Sequence, residues 1–256
     1  MFETLLTRAD ESIGRITLNR PEKLNPLSTE MLGELIAAAR WFDEETNVKV
    51  VVIDGAGRGF SAGADLGSFS SPANTGLRDA ADAGRRMAEA IENMRAVTLA
   101  AIHGWCVGGG LVLAAACDLR IAEEGSQFSI PEVDLGIPLA WGGIPRLVRE
   151  IGPALTKELV LTCRPFDAAE AMQAGFINRI VAPGDLQNRA TELANSLAQK
   201  ASLTLYATKR HVNAVTEQMV GTARSWSDAD GLLTAVADPD CCAARNAYLA
   251  ARGRGG

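Results

Sequence analysis

Two short apolar runs, each followed at once by glycines and then by a helix-like pattern, constrain this chain more than any other feature. They are "VKVVVID" (48–54) before "GAGRGFSAGADLGSF" (55–69), and "VTLAAIHG" (97–104) before "WCVGGGLVLAAAC" (105–117). Continuous apolar runs of this length are typical of strands that a sheet buries on both faces. Strands that alternate with helices across tight turns pair in parallel through right-handed crossovers. The sequence therefore predicts an α/β fold made of repeated strand, turn and helix units.

The N-terminal segment has two further patterns. Residues 2–8 and 12–18 predict a β-hairpin, because apolar side chains recur on one face of each segment. The next segment, "PLSTEMLGELIAAARWFDEE" (26–45), keeps apolar residues at helical spacing. Ser28 is a suitable N-cap for this predicted helix, since its hydroxyl can accept a hydrogen bond from a free backbone N–H group.

The C-terminal part differs in character from the rest. From about residue 141 the chain has the pattern of successive amphipathic helices, interrupted only by a short strand at 176–182. No linker rich in proline, glycine or serine precedes this part, so we expect it to pack on the core or on a neighbouring subunit. The predicted organisation is a core over residues 1–195 and a helical C-terminal region over residues 196–256.

Composition excludes several classes of partner. The 256 residues are 47% hydrophobic and carry a net charge of -6, with acidic and basic side chains mixed along the chain. No nucleic-acid partner is expected, because phosphate binding needs a concentrated basic face. The apolar run at 111–117 is too short to cross a bilayer, and the first residues lack the pattern of a signal peptide. Five cysteines without a C-x-x-C pair indicate free thiols. We expect a cytoplasmic protein that does not bind membranes.

The two glycine-rich turns suggest a shared chemical role. Each turn exposes backbone N–H groups at the positive end of a helix dipole, and glycine lets a ligand approach closely. Two such turns that face one point could donate two N–H groups to one oxygen atom, which is an oxyanion hole. Taken alone, the glycines at 108–110 could equally serve close packing between a helix and a strand.

A carboxylate in apolar surroundings could complete this chemistry. Glu132 lies in "FSIPEVDLGIPLAWGG" (128–143), with Ile130, Val133 and Leu135 as neighbours. Such surroundings raise the pKa of a carboxylic acid, so that the side chain can act as a general base or acid. Beside an oxyanion hole, it could remove a proton next to a carbonyl group. The alternative is a solvated carboxylate in a turn.

A rival interpretation comes from "GFSAG" (59–63), which matches the G-x-S-x-G nucleophile elbow of serine hydrolases. Ser61 would then need a histidine late in the chain as its base. Only His211 qualifies, and it falls within a predicted helix rather than a loop. An elbow serine also follows its strand directly, whereas "GAGR" intervenes here. A nicotinamide site is not indicated either, because no G-x-G-x-x-G occurs in the required register.

Five segments, taken in chain order, resemble the signature segments of the enoyl-CoA hydratase/isomerase (crotonase) superfamily. They are "LNRPEKLNPLS" (18–28), "GRGFSAGADL" (57–66), "IHGWCVGGGLVLAAACDLRIA" (102–122), "FSIPEVDLGI" (128–137) and "AMQAGFINRIV" (171–181). The resemblance implies a crotonase (ClpP-like) β-β-α spiral with a helical C-terminal trimerisation region, assembled as a trimer or a dimer of trimers. It also implies an acyl-CoA thioester as substrate, with coenzyme A as part of that substrate and neither a metal nor a separate cofactor.

The resemblance also assigns roles to individual residues. The N–H groups of Ala64 and Gly109 would bind the thioester oxygen, and Glu132 would be the catalytic base. Lys23 would lie near the phosphates of coenzyme A. The remaining substrate contacts would come from Ala62, Asp65 and Leu66, beside the adenine or pantetheine. Trp141, next to two glycines, would either line the acyl pocket or pack in the core.

Three departures from the family pattern narrow the expected reaction. Val112 stands where hydratases of the family carry a second glutamate, and Ala140 stands where dienoyl isomerases carry an aspartate. Gly67 replaces a basic residue that often contacts phosphate. What remains is the one-base pattern of the Δ3-Δ2 enoyl-CoA isomerases, so we expect isomerisation with Glu132 as single base. Hydration without the second glutamate and a non-catalytic acyl-CoA-binding protein are the alternatives.

Overall fold

A computed structural model describes residues 2–65 and 77–251, and all strand and helix bounds below refer to these residues. The strands are β1 (Leu5–Asp10), β2 (Ile13–Leu18), β3 (Val50–Gly55), β4 (Val97–Ile102), β5 (Trp105–Val107), β6 (Leu119–Glu123), β7 (Gln127–Ser129), β8 (Phe166–Asp167) and β9 (Arg179–Val181). The helices are α1 (Thr29–Glu44), α2 (Leu77–Glu92), α3 (Gly109–Ala116), α4 (Gly143–Thr162), α5 (Ala168–Gln173), α6 (Leu186–Ala198), α7 (Ser202–Met219), α8 (Asp228–Ala237) and α9 (Pro239–Ala251). Short 3-10 turns occupy Pro21–Lys23 and Ala223–Ser227.

The larger sheet has six strands in the order β1-β2-β3-β4-β6-β9. The β1–β2 pair is the predicted antiparallel hairpin, and every other pair in this sheet is parallel. All residues of β3 and β4 are buried, as their continuous apolar sequences predict. Helix α6 packs on one face through Ala190 and Ala194, and the other face borders the main core with α1, α2 and α3.

A smaller sheet has three strands in the order β5-β7-β8. Its strands come from segments between or after the strands of the larger sheet. Single bridges between Ser61 and Cys106, and between Leu27 and Ala64, extend its pairing to the loop after β3. Successive turns of the chain therefore contribute one segment to each sheet before the next helix, which confirms the predicted β-β-α spiral. Two details differ from the sequence prediction. Strand β5 was expected as part of a turn, and β8 is a second short strand among the C-terminal helices, where only the one at 176–182 was expected.

The start of α1 follows the sequence prediction closely. The side chain of Ser28 accepts a hydrogen bond from the backbone N–H of Met31, so it is the N-cap of this helix. The helix buries Leu32, Leu35 and Phe42 against the main core. It therefore covers the sheet beside the segment from residue 20 to 27, which borders the candidate site.

The C-terminal helices return to the core. In α4 the helical conformation is interrupted at Gly152 (φ 76°), so this element consists of two helical segments that meet at a kink. Lys209 on α7 is buried, and its Nζ lies 2.7 Å from Oδ2 of Asp118. The predicted boundary after residue 195 falls within α6, and the division into two regions stays a prediction. No described helix is long and apolar enough to cross a membrane, and the cytoplasmic location stays a prediction.

Candidate active site

A buried asparagine and a buried serine shape the loop that follows β3. Asn25 has a left-handed backbone (φ 54°), and its side-chain amide donates to the carbonyl oxygens of Gly59 (2.9 Å) and Phe60 (3.2 Å). The hydroxyl of Ser61 donates to the carbonyl of Asn25 and accepts from the N–H of Gly63. These contacts fix the path of the loop immediately before Ala64.

The loop then passes very close to the start of α3. Gly63 has a φ of 89°, and a Cβ atom there would lie 2.8 Å from the carbonyl oxygen of Val107 and 3.5 Å from the amide nitrogen of Gly109. Only glycine combines this φ with so close an approach. Ala64 pairs with Leu27 in a single bridge that does not use its own N–H group. Among the described residues, the Ala64 N–H has no acceptor.

The second glycine-rich turn begins α3. Gly108 adopts φ 47° and ψ -113°, a conformation that side chains rarely tolerate, and Gly109 is the first helical residue. The N–H of Gly109 has no acceptor among the described residues and lies at the positive end of the α3 dipole. The structure thus brings the N–H groups of Ala64 and Gly109 onto two adjoining segments, and their role as donors to one oxygen stays a prediction.

Glu132 lies in the turn after β7, with its carboxylate against Gly108. A Cβ atom at Gly108 would overlap Oε1 of Glu132, so the absence of a side chain there makes room for the carboxylate. The Glu132 residue is 9% exposed, and its Oε2 is buried without a hydrogen-bond partner among the described residues. Burial raises the pKa of Glu132 from the ordinary 4.5 to about 7. This carboxyl group can therefore both accept and donate a proton near neutral pH.

A small cavity joins these groups. Its described lining consists of Ala64, Gly109, Val112, Glu132, Ile137, Pro138, Leu139, Ala140, Trp141 and Leu232. Glu132 is the single carboxylate in this described lining. Val112 and Ala140, the two positions at which the sequence lacks an acidic residue of related enzymes, both face the cavity with apolar side chains. The predicted catalytic residues are thus gathered around one space.

Trp141 forms one wall of the cavity, and its neighbours are distant in sequence. A Cβ atom at Gly84 on α2, or at Gly109 on α3, would overlap the indole ring. The backbone of Trp141 is left-handed (φ 62°), and that of Gly142 is as well (φ 69°). The indole therefore occupies a slot between two helices that glycines keep open.

Three residues that the sequence analysis did not single out hold this turn. The buried guanidinium of Arg146 donates to the carbonyl oxygens of Trp141 and Gly142 and makes an ion pair with Glu92. Asp228 on α8 accepts a hydrogen bond from the N–H of Gly142 at 2.8 Å. The contacts with Glu92 and Asp228 join segments that are distant in sequence, whereas Arg146 binds carbonyls four and five residues before it. Among the residues around Trp141, only Gly84 has a signal in the sequence, because a glycine inside a helical pattern often marks close packing.

The described residues predicted to contact coenzyme A lie in two segments, the loop from residue 20 to 27 and the loop after β3. Lys23 is exposed in the first 3-10 turn. Ala62 donates its N–H to the carbonyl of Leu24 at 2.8 Å, and Asp65 makes an ion pair with Arg20 at 3.0 Å. Leu66, the remaining predicted contact, lies outside the described residues, as does Gly67. The binding roles of these residues stay predictions.

The serine-hydrolase interpretation is not supported by the surroundings of Ser61. Its side chain is fully buried, and its hydroxyl is engaged with Asn25 and Gly63. His211 is exposed on α7, and the other histidine, His103, interacts with the carbonyl of Gly57. A nucleophilic serine needs an accessible oxygen and a hydrogen-bonded base, and Ser61 has neither.

The chain is similar to known proteins over most of its length. A family model described as "Enoyl-CoA hydratase/isomerase" matches residues 8–250. A probable enoyl-CoA hydratase of Mycobacterium tuberculosis is 36% identical over 218 residues, which is 83% of this chain and 82% of that protein. A peroxisomal Δ(3,5)-Δ(2,4)-dienoyl-CoA isomerase of Arabidopsis thaliana is 34% identical over 246 residues, covering 89% and 88% of the two chains. The crystal structure of an enoyl-CoA hydratase/isomerase from Xanthobacter autotrophicus superimposes with a TM-score of 0.86 at 30% identity, over 99% of this chain and 95% of that one.

Proposed function

The chain belongs to the enoyl-CoA hydratase/isomerase family, and we propose that within it this protein moves the double bond of an enoyl-CoA thioester from C3 to C2. Glu132 is the only acid/base group in this reaction. The N–H groups of Ala64 and Gly109 stabilise the enolate oxygen. The substrate class is an acyl-CoA thioester, and Lys23, Ala62, Asp65 and Leu66 contact its coenzyme A part.

One observation carries the proposal. Glu132 is the single carboxylate in the described lining of the cavity, and the positions that would hold a second one are Val112 and Ala140. Adding water to a double bond requires a group that activates the water and a group that protonates carbon. Moving a proton between two carbons of one substrate requires a single group that takes it and returns it. A lone carboxyl group with a pKa of about 7 suits the second task.

The reaction balances with these groups alone. The Glu132 carboxylate removes one proton from C2 of a 3-enoyl thioester, and the electron pair of that C–H bond enters a dienolate whose negative charge lies on the thioester oxygen. The N–H of Gly109 at the start of α3 and the N–H of Ala64 in the loop after β3 stabilise this charge. The same proton then passes from Glu132 to C4, and the double bond forms between C2 and C3. No water is consumed.

The test is a comparison of wild type with Glu132→Gln on 3-enoyl-CoA substrates, followed by the ultraviolet absorbance of the conjugated product. Removing a general base lowers turnover by about 10²–10⁴-fold, while the binding of a saturated acyl-CoA should change little. In the wild type, kcat/KM should rise as the pH increases through about 7, because the base must be deprotonated. Full turnover in the Glu132→Gln variant would contradict the proposed role.

Hydration is a second candidate, because several relatives carry hydratase names, including the mycobacterial protein that is 36% identical. The same preparation should therefore be given 2-enoyl-CoA, whose absorbance falls when water adds. Hydration faster than isomerisation would replace the present proposal. A protein that only binds acyl-CoA would catalyse neither reaction and would not exchange C2 protons in heavy water.

A further inference from the structure

Trp141 lies where the acyl chain must run if the proposed function is correct. The thioester oxygen would be held at Ala64 and Gly109, and C2 would face Glu132. The rest of the acyl group then points toward the part of the cavity formed by Leu139, Trp141 and Leu232. Since Trp141 touches Gly109 itself, the indole stands only a short distance from the reacting carbons.

We propose that Trp141 is the residue that sets acyl length, and that it restricts this enzyme to short-chain acyl-CoA thioesters. This inference rests on the proposed function, because it assumes an acyl group at Glu132. The indole closes the end of the acyl pocket by filling the space between α2 and α3. Without it, the slot would continue the cavity past Gly84 and Gly109.

The two glycines show that the slot is shaped for an indole. Gly84 is an interior residue of α2, where glycine is less favourable than alanine. A Cβ atom at Gly84 would overlap the six- and five-membered rings of Trp141, and one at Gly109 would overlap the ring edge. The helices therefore approach the two sides of the indole without side chains of their own. Removing the indole leaves a space that these glycines do not fill.

The backbone contacts of the turn make Trp141 a fixed wall. A left-handed tryptophan persists only where its surroundings enforce that conformation. Here Arg146 donates hydrogen bonds to the carbonyl oxygens of Trp141 and Gly142. The carboxylate of Asp228 accepts a hydrogen bond from the Gly142 N–H. The turn is thus held by α4 and by α8, and the indole is held with it.

The free space beside the indole is small. The cavity has a volume of about 30 Å³ within the described lining, and its walls toward the indole include the bulky apolar side chains of Leu139 and Leu232. A chain of several further CH₂ groups would have to displace Trp141.

Binding of saturated acyl-CoA thioesters, measured by titration calorimetry, tests this inference without any turnover. For wild type, affinity should increase from acetyl- to butyryl-CoA and then fall for octanoyl- and decanoyl-CoA. In a series Trp141→Phe, Trp141→Leu and Trp141→Ala, the preferred length should increase stepwise. Each additional CH₂ that enters the vacated slot should strengthen binding by about fourfold.

A refilling variant separates a specificity role from a general loss of structure. In Trp141→Ala, the further change Gly84→Leu places a side chain into the space that the indole left, and leucine is favourable inside a helix. This double variant should again prefer short chains. Trp226→Ala, at a tryptophan that is 61% exposed and outside the cavity lining, is the control and should keep the wild-type length profile.

The outcomes distinguish this inference from the proposed function. Equal affinity of wild type for butyryl- and decanoyl-CoA, or a length profile that Trp141→Ala leaves unchanged, would overturn the inference. No binding of any acyl-CoA would overturn it too. If the length profile shifts as expected but 3-enoyl substrates are not isomerised, the inference holds and only the proposed reaction is wrong.

Discussion

At Glu132, burial acts against the folded state and in favour of the chemistry. A carboxyl group with an ordinary pKa of 4.5 is almost fully ionised at neutral pH and is a weak base. Enclosure between Gly108 and the apolar residues of the cavity raises its pKa to about 7. The difference corresponds to about 3 kcal/mol, at about 1.4 kcal/mol per pKa unit. The fold loses this amount when the buried carboxyl group ionises.

The stability of the protein should therefore depend on pH through this residue. The folded state binds the Glu132 proton more tightly than the unfolded state, so stability is full below pH 4.5 and falls as the pH rises to about 7. Glu132→Gln cannot ionise, and its advantage over wild type in free energy of unfolding should grow by about 3 kcal/mol across this range. Urea denaturation at a series of pH values measures the difference.

Asp134→Asn is the matched control, because this neighbouring carboxylate is exposed. Its difference from wild type should show no comparable increase between pH 4.5 and 7. A Glu132→Gln difference that stays constant over the same range would mean that the carboxyl group is not buried as the structure describes.

The sequence could predict Glu132 but not the environment of Trp141. The apolar neighbours of Glu132 are adjacent in the chain, so their effect on its pKa is visible in the local sequence. Gly84 and Asp228 are far from Trp141 in sequence, and only the packing of α2 and α8 brings them to it. The chain alone therefore indicated that Trp141 faces either a pocket or the core, and could not decide between them.

At the scale of elements, the junction between β5 and α3 combines backbone strain with close packing. Gly108→Ala should destabilise the protein by about 1–3 kcal/mol, because an L side chain is strained at φ 47° and ψ -113°. It should also lower turnover, since the new Cβ atom meets the Glu132 carboxylate. Chemical denaturation and isomerisation kinetics measure the two effects.

Gly125→Ala is the comparison for this junction, because a Cβ atom there would have no neighbour within 4 Å. A surface change of this kind stays within about 0.5 kcal/mol of wild type. If both alanine variants behaved alike in stability and in turnover, the tight turn at Gly108 would have no special role.

Elements with local signals were predicted correctly, and elements that depend on distant partners were not. The hairpin of β1 and β2 and the cap at Ser28 follow from patterns within a few residues. By contrast, β5 has only three residues, and its strand conformation depends on pairing with β7. The same residues were therefore predicted as part of a turn. The kink in α4 also has a local signal, because a glycine and a proline follow one another at Gly152 and Pro153.

At the scale of the whole molecule, α8 returns to complete the site. Leu232 lines the cavity and Asp228 caps the Gly142 N–H, while Arg78 on α2 makes an ion pair with Asp230. The sequence predicted a helical C-terminal region that packs on the core or on a neighbouring subunit, but it gave no indication of which residues would line the cavity at Glu132. Amphipathic patterns specify that a helix has an apolar face and leave its partner open.

Helix α7 leads to the last prediction, which concerns assembly. On one face it exposes the large apolar side chains of Val212 (56%), Val215 (48%) and Met219 (75%), which have i, i+3, i+7 spacing, while its buried described residue is Lys209. Apolar side chains grouped on one element are typical of an interface between subunits. We expect a trimer or a dimer of trimers, so light scattering should give three or six times the 27.0 kDa of one chain.

Charge placed on this helix should separate the subunits. Val212→Lys together with Met219→Lys introduces two like charges at each copy of the interface, and unpaired charges at a buried interface are strongly unfavourable. The variant should have the mass of a single chain at micromolar concentration. Leu6→Lys, at an exposed apolar residue of β1, is the control and should keep the wild-type mass. A wild type with the mass of one chain would show that the apolar side chains of α7 have another role.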